Sequence, residues 1–126
     1  MKIFISFCLF LSVLFGDNLS FEHNYKDALQ KATQEKKDVI MIYSASWCPE
    51  CSYMKDVAFK EAKLNSYLKE NFVLLVLDID KGNLPKGFEY VGIPTFFILD
   101  KDANKLGKIV GGDKPAKFLE RLKEIK

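Results

Sequence analysis

The pentapeptide Trp47-Cys48-Pro49-Glu50-Cys51 stands where an apolar run ends and a helical pattern begins, and it constrains the chain more than any other segment. Two cysteines separated by two residues in the first turn of a helix can close a disulfide within a small ring. The helix N-terminus sets partial positive charge and free N–H groups beside the leading sulfur, so Cys48 is expected to favour its thiolate. Pro49 suits the first helical position, where its missing N–H costs nothing and its φ is already correct. A purely structural staple explains the pair poorly, because closing so short a loop removes little entropy from the unfolded chain.

A chain of 126 residues, 48% hydrophobic and 29% charged, suits one globular domain. Its first sixteen residues differ from the rest: Lys2, then an almost wholly apolar run over residues 3–15, then Gly16. The run is shorter than the roughly 20 residues of a spanning helix, so residues 1–16 read as an export signal cleaved near Gly16, with an uncleaved N-terminal anchor as the alternative. Cys8 is expected to leave with the signal. The domain is then residues 17–126, and the formal charge falls from +2 to +1 as Lys2 is lost. So small a balance, with Lys and Glu interleaved along the helical stretches, gives no footing for nucleic acid. Outside the cytoplasm the remaining pair, Cys48 and Cys51, oxidises unless something reduces it, which implies a redox partner.

Along the mature chain, Ser20 is positioned to cap a helix in which Phe21, Tyr25, Ala28, Leu29 and Ala32 recur at helical spacing, with His23 on its polar stretch. Residues 39–43 and 72–77, with Ile79, are continuous apolar runs that fit strands buried on both faces. Between them, Tyr53, Met54, Val57 and Ala58 mark the buried face of the helix that starts at Pro49, and Leu64, Tyr67 and Leu68 continue a second helical piece. Residues 80–87 read as a loop. Residues 95–99 and 108–110 are expected to form an antiparallel hairpin about a polar turn, and Asp113 to cap a last helix with Phe118, Leu119, Leu122 and Ile125 inward. The order predicts an α/β fold with a mixed central sheet of about four strands and helices on both faces.

With these residues in place, the Trp-Cys-x-x-Cys turn, the Gly92-Ile93-Pro94-Thr95 segment about forty residues later and the element order resemble the thioredoxin superfamily over roughly residues 22–126. Within it, the run over residues 37–55 is most similar to exported thioredoxin-like domains, including the C-terminal domain of the membrane electron carrier DsbD. The resemblance implies that Cys48 is exposed and attacks, that Cys51 is buried behind it and resolves, and that Pro94 is cis and packs against the dithiol. It also implies that a substrate strand pairs with the Ile93 backbone, with Trp47, Pro49, Glu50, Ile93, Pro94 and Gly111 forming the active-site wall and groove. Trp47 reads either as core or, from its place beside Cys48, as a partly exposed wall, and the position favours the wall. Gly111 and Gly92 also read simply as turn residues. One departure stands out: where thioredoxins commonly bury an aspartate this chain has Ile42, and Val76 replaces the partner lysine. If Cys51 needs a base, Glu50 or solvent must serve.

The chemistry implied is thiol–disulfide exchange at Cys48 and Cys51 with no bound organic cofactor and no metal. Structural zinc wants four ligands, against two thiols and the lone His23 in the mature chain. The resemblance implies an exported, periplasmic, monomeric reductant of oxidised client proteins, fed by a membrane electron donor of the DsbD or CcdA type. A dithiol oxidase of the same fold, or a copper(I)-binding or client-holding module without turnover, are the alternatives.

Overall fold

The computed structural model describes residues 19–125; the expected signal, the anchor alternative and Cys8 lie outside the described residues. Five strands, β1 (Phe21–Glu22), β2 (Asp38–Ser44), β3 (Phe72–Asp78), β4 (Thr95–Leu99) and β5 (Lys105–Val110), form one sheet in the order β1-β3-β2-β4-β5. Strand β3 runs parallel to both β1 and β2, whereas β2–β4 and β4–β5 are antiparallel. The α/β architecture and mixed sheet agree with expectation, but the sheet has a fifth strand. Phe21 and Glu22 pair with Leu74 and Leu75 instead of opening a helix.

The first helix, α1 (Tyr25–Glu35), therefore starts later than Ser20 suggested. Asn24 is its cap, extended in backbone and accepting the Asp27 N–H at 3.0 Å, and His23 lies exposed just before it rather than within it. Helix α2 (Pro49–Asp56) is likewise shorter than its apolar spacing implied. Val57 leaves helical geometry at φ −120°, and a 3-10 turn over Ala58–Lys60 follows. That turn buries Ala58 and Phe59 and leaves Val57 and Tyr53 exposed, although both were expected on the buried face. Helix α3 (Ala62–Asn71) is capped by Glu61 and buries Leu64 and Leu68, together with the polar Asn65, which donates to the Phe59 carbonyl at 2.9 Å. Helix α4 (Pro115–Ile125) opens with the Phe118 N–H bonded to the Lys114 carbonyl. Asp113, expected to be its cap, sits one residue too early: its carboxylate accepts the Lys114 N–H and pairs with Arg121.

Alternation along the strands sends side chains to two cores. Ile40, Ile42, Leu74, Phe96, Ile98 and Ile109 meet Met54, Leu68, Phe118 and Leu122 on the face covered by α2, α3 and α4. Val39, Met41, Tyr43, Val73, Leu75, Phe97 and Leu99 face the other way, against Ala28 and Ala32 of α1 and the Leu84, Phe88, Tyr90 and Ile93 side chains of the long β3–β4 connection. The two layers clamp β2 from both sides, so the end of β2, from which the cysteine turn departs, is a fixed point.

Tyr43 is the second-to-last residue of β2. Its ring lies edge-on to Phe97 and Tyr90, 5.0 and 5.1 Å away between centroids, and its hydroxyl is buried with no hydrogen-bond partner among the described residues. Burial first, then the nearby Tyr25 and Tyr90 phenols, pushes its pKa from 10.0 up to about 12. Below the unfolded value both states hold the proton. As pH rises towards the folded value, the unfolded chain releases a proton that the folded protein keeps, so stability falls across that window. Tyr43→Phe is expected to abolish this share of the alkaline loss: urea unfolding at pH 8 and at pH 11 will show the variant gaining on the parent at the higher pH.

Candidate active site

Strand β2 ends at Ser44, and the chain turns through Ala45, Ser46 and Trp47 into α2. The Cys48 N–H closes that turn on the Ala45 carbonyl at 3.2 Å. Cys48 is itself the cap of α2, extended in backbone with φ −96° and ψ 105°, and Pro49 follows in the first helical position. Cys48 and Cys51 form a disulfide with their Cα atoms 5.3 Å apart. The Cys51 N–H donates to Cys48 Sγ at 3.2 Å, which makes the sulfur a capping acceptor. Once the bond opens, that donor and the helix N-terminus behind it stabilise negative charge on the same atom.

Both sulfurs belong to a small apolar cluster with Ala45, against which Ile79 and Ile93 pack. Cys48 retains 6% exposure and Cys51 1%, so the leading cysteine is the outer one but is far more sheltered than the expectation of an exposed Cys48. Ile93 accounts for part of the shelter, since it serves this cluster and the α1-side core together. The Ile93–Pro94 peptide bond is cis. Two hydrogen bonds hold this segment: Thr95 Oγ1 donates to the Gly92 carbonyl at 2.6 Å, and the Gly111 N–H donates to the Pro94 carbonyl at 2.8 Å. Gly111 has φ +81° and open space where a Cβ would stand, so the turn conformation, and not crowding, is what demands glycine there.

Trp47 is 64% exposed, and Val91 beside the Pro94 segment is 92% exposed. The indole is fixed despite its exposure, because Trp47 Nε1 donates to Asp80 Oδ2 at 2.7 Å. Asp80 is in turn placed by its own N–H, bonded at 2.8 Å to Asp78 Oδ1 at the end of β3. In the sequence Asp80 stands out only as part of a loop. Glu50, weighed as a base for Cys51, points its Oε1 at the Gly112 N–H at 2.9 Å. Ile42 is fully buried, and the parallel register sets it directly opposite Val76, with Phe96 opposite on β4. The two positions that differ from the thioredoxin pattern are thus neighbours, and both belong to one apolar core.

Residues 25–126 match the family described as a thioredoxin-like domain. Thioredoxin H9 of Arabidopsis thaliana is 28% identical over 95 residues, which cover 75% of this chain and 64% of that protein. The thiol:disulfide interchange protein DsbD of Vibrio vulnificus is 29% identical over 104 residues, 77% of this chain but 17% of DsbD. Among solved structures, a putative disulphide-isomerase from Bacteroides thetaiotaomicron superposes with a TM-score of 0.75 at 26% identity, over 86% of this chain and 93% of that one.

Proposed function

This chain belongs to the thioredoxin-like domain family, and from that premise we propose that it is an exported thiol–disulfide oxidoreductase that reduces disulfides in extracytoplasmic client proteins. The observation that carries the reading is the Cys48–Cys51 disulfide at the start of α2, with a backbone N–H aimed at the outer sulfur. In the reduced protein, the Cys48 thiolate attacks a client disulfide, forming a Cys48–client bond and releasing one client thiolate. Cys51, deprotonated in turn, attacks Cys48 Sγ, re-forms the internal disulfide and releases the second client thiolate. Two electrons pass to the client, and each thiolate released takes a proton from solvent.

The cycle requires a dithiol donor to reduce the protein again. A membrane carrier of the DsbD or CcdA type fits that role, and the similarity to a protein named for thiol:disulfide interchange supports the choice. The apolar run of residues 3–15 behind Lys2 supports export, and the periplasm is the compartment proposed, with the protein soluble where the segment is removed and anchored where it is kept. The reductive direction follows the likeness to exported electron-carrying domains.

A Cys51→Ser variant expressed in its native compartment tests the proposal. Without the resolving thiol, Cys48 is expected to accumulate mixed disulfides with both clients and donor, separable on non-reducing gels and identified by mass spectrometry. A folded, exported variant that gathers no adducts contradicts exchange, and equilibration of the pair with glutathione distinguishes reductant from oxidase.

A further inference from the structure

Closing the Cys48–Cys51 bond makes no demand on the loop after β5, yet that loop is tied to the cysteine turn. The Gly112 N–H donates to Glu50 Oε1 at 2.9 Å, and the Asp113 N–H is directed at Met54 Sδ at 3.4 Å. Unlike Gly111, Gly112 has no positive φ, and the reason for glycine there is steric. A Cβ would stand 3.0 Å from Glu50 Cγ and from Glu50 Oε1, and 3.1 Å from Met54 Cγ. One residue earlier, the Gly111 N–H holds the Pro94 carbonyl at 2.8 Å. Consecutive amides of one loop therefore grip Glu50, which stands between the two cysteines, and Pro94.

We propose that Glu50 is a positioning residue for client exchange: latched to Gly112, its carboxylate sets the Cys48–Cys51 turn in register with the Ile93–Pro94 segment. The proposal rests on the exchange reading above. Attack at a disulfide sulfur requires the three sulfurs in line, and a client strand lying along Ile93 is aligned with Cys48 only while the two segments keep their relative placement. Glu50 acts through the loop, as an acceptor of the correct reach, and not by its charge on the sulfur. The empty place at Gly112 is the complementary half of the device.

Reduced protein is mixed with insulin, which must occupy the groove, and separately with hydroxyethyl disulfide, which is too small to need it; the readout is the ratio of the two rate constants. Because a misplacement of about 1 Å costs up to about a hundredfold, Glu50→Ala and Gly112→Ala are each expected to lower the ratio by roughly tenfold, and Glu50→Gln, which keeps an acceptor oxygen, to restore it to within about twofold of the parent. A charge effect gives the reverse order: Glu50→Gln alters both rates and Gly112→Ala, which keeps the carboxylate, alters neither. That result overturns the proposal. Should Gly112→Ala lack a cooperative melting transition, the two Glu50 variants decide alone, and an unchanged ratio in Glu50→Ala overturns it. A parent that reduces neither disulfide contradicts the exchange reading itself. A parent that reduces both, with a ratio indifferent to Glu50→Ala and Gly112→Ala, contradicts the latch only.

Discussion

Replacing Cys48 with serine is expected to lower client-disulfide reduction by more than about a thousandfold, since loss of an attacking group removes the covalent route altogether. The surrounding fold has no comparable stake in that sulfur. Cys48 lies at the rim of a small cluster with Ala45 and Cys51, whereas the two large cores are built from other residues. Its capping function also survives, because serine is a good acceptor for the Cys51 N–H at the same position. The internal disulfide is lost, but the ring it closes is so short that the entropic contribution is small. Insulin turbidity with dithiothreitol as donor measures the rate, and urea unfolding of the same preparation separates lost chemistry from lost structure. A serine variant that retains a tenth of the parent rate would place the nucleophile elsewhere.

Restoring an acid at position 42 should instead damage stability. Ile42 is buried in one apolar cluster with Met54, Phe59, Phe96 and Phe118, so a carboxylate there is set among hydrocarbon side chains. Ile42→Asp is expected to cost about 3 kcal/mol or more, read as a fall in the urea midpoint with little change in slope. The pH dependence has a definite sign. Burial raises the introduced carboxyl above its unfolded value, so the penalty is smallest at acid pH, where both states are protonated, and grows as pH rises and the unfolded chain alone ionises freely. Because Val76 lies opposite Ile42 in the parallel register and is only partly buried, Val76→Lys can lay its stem along the edge of the core and bring its amine to the acid. The double variant is expected to recover at least about 1 kcal/mol relative to the sum of the single costs. Tolerance of Ile42→Asp at neutral pH, within about 0.5 kcal/mol of the parent, would mean that this core is wetter than its packing indicates.

The strongly periodic parts of the chain were legible. Continuous branched and aromatic runs marked β2 and β3, Thr95 to Leu99 marked β4, and the cysteine spacing with Pro49 marked the start of α2. What escaped is of three kinds. Strand β1 has two residues, too few for any period to register, and it exists only because β3 offers an edge. Two boundaries moved: the Asn24 side chain caps α1 in place of Ser20, and the backbone at Val57 leaves helical geometry where the spacing alone would have continued.

The third kind is contact between segments distant in sequence. Nothing near Asp80 announces Trp47, 33 residues away, and nothing near Glu50 announces Gly112, 62 residues away. The glycine doublet was a visible signal, but the two glycines do different things: Gly111 supplies a positive φ, and Gly112 leaves room for Glu50 and Met54. Ile42 and Val76 stand out in the sequence together, as an acid and its partner lysine both missing, and the strand register adds that they lie directly opposite one another.

The central claim is that Cys48 is the thiol that reacts, held ionised by the helix start while Cys51 waits behind it. Brief treatment of the fully reduced, folded protein with iodoacetamide at pH 7, followed by peptide mapping, tests it most directly. Label is expected on Cys48, at a rate well above that of an unfolded control peptide, with Cys51 unmodified over the same interval. Equal labelling of the two cysteines, or a Cys48 slower than the control peptide, would contradict the account.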